Sequence, residues 1–286
     1  MLGYAAAVTV VLIWSAWLVV SRSAAQSPIT IFDLAALRYG ISAIIALPFV
    51  LYYKPWRTMS ITRIATLTFL LGPFYILFVF GGFEFAPAAH GGIFMNGALP
   101  AITLLIGWTW LAERVSVWQL IGVVLIVIGA SLAVADASHL SLTKSWRGDL
   151  MFLVGAMFFS AYLVFSRLWH ITTTQILLCG SVINALLYVP IWVLFLPSGI
   201  AITSQSQFIV QILFQGLVPN LLGLLLVAAA VRRIGSAATA AFMAAVPGIG
   251  ALLSLLFLGE VPGLLGWFSL AVLTPGIMMV VLIRKR

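Results

Sequence analysis

Polar side chains are scarce in the apolar runs of this chain, so each one that occurs there can be asked what it could bind. Asn96, Asn184 and Asn220 carry amides, each able to donate and to accept. Trp17, Tyr75, Phe94, Tyr162 and Tyr188 are aromatic residues within such runs, away from the ends where Trp and Tyr normally collect. Amides fix the orientation of a small ligand and aromatic faces give it contact area, but neither makes or breaks bonds. His90 and Phe94 lie four apart, on one helical face, with Gly97 three further on. At about 100° per residue Asn96 is turned about 120° from His90, so both face one cavity only where it is wide or the helix bends. His90 reads either as a site residue or as a hydrogen-bonded histidine near a helix end, and an intramembrane amide either as a binding group or as glue between helices. Ser181, Asn184 and Tyr188 form a polar stripe at spacings of three and four. Gln207, Gln211 and Gln215 form another, the outer of them read as the lining of a helix entrance, with Asn220 beyond. The candidate substrate-binding set is therefore Trp17, Tyr75, His90, Phe94, Asn96, Tyr162, Asn184, Tyr188 and Asn220.

Bond-making chemistry finds little support. No HExxH, GxSxG or Walker-type motif occurs, the three histidines are scattered, and Cys179 is alone, so neither an enzyme nor ATP hydrolysis, a metal or a cofactor is expected. Arg38 could clamp a carboxylate, but the favoured reading is that it snorkels to the surface or pairs with Asp33. Glu113 and Glu260 fall at turns, where each is expected to cap the next helix. No carboxylate is expected at mid-membrane, which leaves His90 as the residue suited to proton exchange.

The elements that must hold these residues are transmembrane helices. Of 286 residues 64% are hydrophobic and 7% charged, with a mean hydropathy of +1.22, against about a quarter charged in soluble domains. About 20 apolar residues span a bilayer core, and runs of that length begin near residues 2, 33, 64, 87, 117, 148, 175, 207, 235 and 263. They lack the alternation of a transmembrane barrel, so only helices are left. The first run is expected to stay rather than be cleaved as a signal peptide. The net charge of +8 falls in short gaps between runs, where orientation explains it and nucleic acid need not be invoked. Counting those gaps puts ten basic residues on one side, including Arg284, Lys285 and Arg286, against Arg22, Lys144 and Arg147 on the other. Both termini are therefore expected in the cytoplasm, in an inner or plasma membrane.

SAWLVVSR from Ser15 to Arg22 recurs as SAYLVFSR from Ser160 to Arg167, 145 residues on. Pro73 and Pro219, Pro100 and Pro247, Glu113 and Glu260, and Gly129 and Gly276 keep nearly the same offset. Each copy holds five spans, an odd number, so the second enters the membrane from the opposite side. The expectation is an all-α integral membrane protein of ten helices in two inverted repeats, residues 1–136 and 147–286, an arrangement used by secondary transporters. Pro73, Pro100, Pro219 and Pro247 each remove a backbone donor near mid-span and are read as hinges. Spans five and ten, Gly-rich and almost free of polar groups, are read as supports.

Each half ends in a helix, an acidic turn and a Gly-rich helix: LAERVSVWQLIGVVLIVIG from Leu111 and LGEVPGLLGWFSLAVLTPG from Leu258. With Trp14-Ser15 in the first span, this resembles the drug/metabolite transporter superfamily, in particular its EamA-type ten-helix members. The resemblance implies an exporter of amino acids and other small metabolites or drugs, with a subgroup exporting aromatic amino acids. Expected partners are a small-molecule substrate and the bilayer. The alternatives are a multidrug or nucleotide-sugar carrier, or a non-transporting protein such as a lipid scramblase.

Overall fold

The computed structural model describes residues 1–139 and 143–282; Arg284, Lys285 and Arg286, counted above toward the basic side, lie outside them. Ten helices are long and apolar enough to cross a membrane: α1 (Leu2–Ala25), α2 (Ile31–Tyr53), α3 (Ile61–Phe85), α4 (Ala88–Leu111), α5 (Val117–Ala137), α6 (Ser145–Leu168), α7 (Thr173–Phe195), α8 (Gln205–Ile234), α9 (Ala237–Leu258) and α10 (Leu264–Leu282). No strand occurs among the described residues. A helix satisfies its own backbone groups, which hydrocarbon cannot do for it. Its exposed first turn needs a side-chain partner, supplied by capping boxes at Thr30/Asp33 on α2 and Thr172/Gln175 on α7.

Contacts between helix ends fix the layout. Arg22, near the end of α1, reaches Phe83 near the end of α3 and Glu260 just after α9, and Glu260 reaches Ala88 at the start of α4. Arg167, near the end of α6, pairs with Glu113 just after α4, and Arg63 at the start of α3 stacks over Trp169 just after α6. These two groups mark opposite ends of the bundle, called here the Arg22 end and the Arg167 end. The serines that open the repeated segment make matching bonds: Ser15 Oγ donates to Val246 O at 3.2 Å and Ser160 Oγ to Leu99 O at 3.4 Å.

The prolines interrupt their helices, and at Pro73 and Pro219 the carbonyls released are taken up by named partners. At Pro73 the α3 helix breaks at Leu71–Gly72. Thr68 O then accepts from Asn184 Nδ2 at 3.1 Å, Phe69 O from Gly72 N at 3.1 Å, and Leu71 O from the Tyr39 hydroxyl at 2.9 Å. In α8, Pro219 sits in a π-helical stretch, Ile212–Leu222. Pro219 has no N–H for Gln215 O, which accepts instead from Asn220 Nδ2 at 2.7 Å. Pro100 follows a π turn, Gly91–Gly97, and Pro247 follows a break at Ala244–Ala245. Each of the four therefore lies at or beside an irregular turn, where a helix bends most readily.

α5 and α10 pack on each other along their length. Ser269 Oγ donates to Gly129 O at 2.7 Å and Gln119 Nε2 to Val280 O at 3.3 Å. Gly122 and Gly276 let the backbones meet: a Cβ would lie 2.7 Å from Gly276 O in the first case and 2.8 Å from Gly122 O in the second. Replacing Gly276 by leucine should drive the helices apart at a cost of about 1–3 kcal/mol, read as a lower melting temperature in detergent. An unchanged melting temperature would contradict this packing.

Candidate functional site

A cavity of about 170 Å³ lies at the middle of the bundle, lined from α1 by Trp14 and Trp17, from α2 by Arg38 and Ser42, and from α3 by Leu71 and Tyr75. Met95, Asn96 and Leu99 come from α4, Phe159 and Tyr162 from α6, Ile176, Leu177, Gly180 and Ser181 from α7, and Pro219, Asn220 and Leu221 from α8. α5, α9 and α10 contribute nothing to this lining. Ile176 and Leu177 belong to the first turns of α7, so the cavity reaches toward the Arg167 end.

Five aromatic residues surround one cation. Tyr75 stacks on Phe159 at 5.8 Å, and Phe159 continues to Tyr162 at 5.3 Å. The Trp17 indole N–H donates to Gln215 Oε1 at 2.8 Å, which holds that ring's plane. Gln215 is in turn bonded to Ser21 at 3.3 Å and Gln211 at 2.9 Å, and Gln211 reaches Val20 O at 3.1 Å. Gln211 and Gln215 are fully buried. The glutamines therefore staple α8 to α1 rather than line a helix entrance, a correction that follows from the cost of leaving an amide unpaired in hydrocarbon.

Arg38 departs most from expectation. It does not pair with Asp33, whose carboxylate is saturated by Thr30 N at 2.9 Å, Trp192 Nε1 at 2.9 Å and Gly199 N at 2.8 Å. The guanidinium has no hydrogen-bond or ion-pair partner among the described residues and borders the cavity. The Asn96 side chain is likewise without a protein partner there, and no carboxylate lines the space. A half-buried cation beside a free amide and aromatic faces is equipped to hold a small carboxylate whose remainder is apolar.

Of the nine candidate residues, the structure brings Trp17, Tyr75, Asn96, Tyr162 and Asn220 together at this cavity. The other four lie elsewhere. Asn184 is fully buried and bridges Thr68 O and Cys179 O, the latter at 2.8 Å, clamping the break in α3. Tyr188 donates to Phe32 O at 3.2 Å and meets the Tyr39 ring edge-on at 5.8 Å, tying α7 to α2. His90 and Phe94 contact each other at 5.6 Å, and His90 faces Asp149 of α6. As their angular separation on one helix implies, Asn96 borders the central cavity while His90 does not, and the π turn Gly91–Gly97 lies between them. Ser42 and Phe159 were not singled out in the sequence, and Trp14 only for the family resemblance, although each lies three or four residues from a residue considered for binding. The Glu113 and Glu260 expectation is corrected too. Neither caps the helix that follows it: Glu113 pairs with Arg167, and Glu260 with Arg22 at 2.6 Å, with Ser254 Oγ at 2.7 Å and with the N–H of Ala88 at 2.9 Å.

Comparison with known proteins agrees with this architecture. Fourteen chains of solved structures match. One of them, a crystal structure of a protein, superimposes with a TM-score of 0.62 over 98% of this chain and 97% of that one, at 20% identity, a likeness of fold alone. No curated protein matches. The model of the EamA-like transporter family matches residues 1–135 and 146–282, nearly the whole chain in two segments. Ten membrane-length helices, seven of them lining a central cavity, in a sequence that this model covers almost from end to end, make the chain a member of the EamA-like transporter family, a family of membrane transporters.

Proposed function

We propose that this transporter exports amino acids with apolar or aromatic side chains, by alternating access around the central cavity and without ATP. The observation that carries the reading is Arg38: one unpaired guanidinium among five aromatic residues. Arg38 would take the carboxylate in a two-pronged hydrogen bond. The aromatic faces would take the side chain and, through cation–π contact, the ammonium group, while Asn96 fixes orientation. Nucleotide sugars need several cations for their phosphates and the cavity offers one; cationic drugs want a carboxylate and the cavity offers none. A scramblase needs a continuous polar groove and a structural scaffold a filled centre, neither of which matches this cavity of mostly apolar and aromatic lining.

Alternating access is supported by the paired ends. The two halves, residues 1–136 and 147–286, are read as inverted repeats. Arg22 and Arg167, equivalent in the repeat, each reach across to a glutamate of the other half. Bonds that join the halves at both ends of a central cavity are what a carrier must make and break in turn. The hinge role falls to the turns at Pro73, Pro100, Pro219 and Pro247. The more basic Arg167 end is assigned to the cytoplasm of an inner or plasma membrane, with both termini there. Purified protein in liposomes should release labelled phenylalanine, tryptophan or leucine down a gradient and ignore drug cations and nucleotide sugars. Release of drug cations but of no amino acid would overturn the substrate assignment.

A further inference from the structure

We propose that the buried His90–Asp149 pair is a proton-binding site through which a proton gradient drives transport; the inference rests on the transporter reading above. His90 Nδ1 lies 2.7 Å from Asp149 Oδ1, with the two side chains 8% and 5% exposed. With the Nδ1 hydrogen directed at Asp149, Nε2 is the basic nitrogen, and it has no protein partner among the described residues. The ring borders a second cavity, of about 330 Å³, at the Arg22 end of the bundle. A proton taken by Nε2 from water in that cavity makes the imidazolium, whose charge Asp149 balances across Nδ1. Its release restores a neutral ring beside the carboxylate. Asp149 Oδ2 is buried without a hydrogen-bond partner, so the carboxylate depends on His90.

The charged groups around the ring are few. From α1 comes Arg22 and from the turn after α9 comes Glu260, already joined to each other. From α5 comes Asp136, which accepts from Gly263 N at 2.8 Å. On α6, Arg147 lies over the Trp146 ring; Glu84 at the end of α3 is exposed, and α10 carries no charge between Leu264 and Leu282. None of them competes with Asp149 for His90. The position links protonation to movement. Ala88, two residues before His90, donates its N–H to Glu260, and the π turn begins at Gly91. The Arg22–Glu260 ion pair and the proton site therefore grip one short stretch of α4. Protonation of Nε2 turns the His90–Asp149 hydrogen bond into an ion pair that holds this stretch of α4 against α6, and loss of the proton weakens the hold and lets the stretch move.

Two readouts test the site. In nanodiscs holding 15N-histidine-labelled protein, the ring signals lost in His90→Gln should report a protonation change between about pH 5 and pH 9. Asp149→Asn should alter that response. In liposomes exchanging labelled phenylalanine, an imposed pH gradient should drive accumulation, and Asp149→Asn should cut the ratio of driven uptake to exchange about tenfold. A His90 ring whose protonation does not change over that range overturns the proposal, as does an exchanging wild type that ignores the pH gradient. Absence of any phenylalanine exchange counts against the amino-acid reading instead, and the histidine titration with its dependence on Asp149 then decides the proton site.

Discussion

Arg38→Ala is expected to weaken transport of a carboxylate-bearing substrate about a hundredfold while leaving the protein folded. Removing one partner of a desolvated, hydrogen-bonded charge pair costs about 2–5 kcal/mol, and each factor of ten corresponds to about 1.4 kcal/mol. Folding should survive because the guanidinium has no protein partner to strand among the described residues; Tyr39 and Ser42, its neighbours on α2, keep their bonds to Leu71 O and Gly216 O. Arg38→Lys should recover only part of the loss, since an ammonium keeps the charge but not the planar fork. The loss should appear as weaker half-saturation for amino acids and should be small for a substrate lacking the carboxylate, such as the corresponding amine. Equal loss for acid and amine would mean that Arg38 shapes the cavity without recognising the substrate.

The second large effect is expected at Glu260. Glu260 binds Arg22, Ser254 and Ala88, in a setting where the Arg22 and Glu260 side chains are 17% and 16% exposed. Glu113–Arg167, its counterpart, is 38% and 45% exposed. Breaking a fully buried pair costs about 3–5 kcal/mol, and the partial exposure here brings that down to about 2 kcal/mol; an exposed pair is worth about 0–1 kcal/mol. Glu260→Ala should therefore shift the population toward opening at the Arg22 end by about thirtyfold, and Glu113→Ala should shift it little. Ile93 borders the second cavity beneath this pair and is 2% exposed. A cysteine placed there, in a Cys179→Ser background, should react with an impermeant maleimide far faster when Glu260 is alanine. Equal rates with and without Glu260 would remove the ion pair from the closing of this end.

Much of the fold was legible because membrane helices announce themselves by length and hydropathy, and because the offset joining Ser15 to Ser160 and Pro100 to Pro247 links the halves. The site was legible only in part. Asn184 and Asn220 look alike in sequence, yet Asn184 repairs the break at Pro73 and Asn220 lines the cavity while answering Pro219. Which carbonyl a proline frees, and which amide is near enough to take it, depends on packing between helices far apart in the chain. The π turn after His90 was equally hidden, since no local motif marks it. Arg38 was misjudged for a related reason. Asp33 seemed available five residues away, but Trp192 and Gly199, more than 150 residues on, had already filled its acceptors.

The most direct test of the whole account is counterflow. Liposomes loaded with unlabelled phenylalanine and diluted into a trace of labelled phenylalanine should accumulate label transiently above the outside concentration, then lose it. A carrier with one site exposed to one side at a time produces that overshoot. Label that rises only to equality, or does not enter at all, would contradict alternating access around the Arg38 cavity.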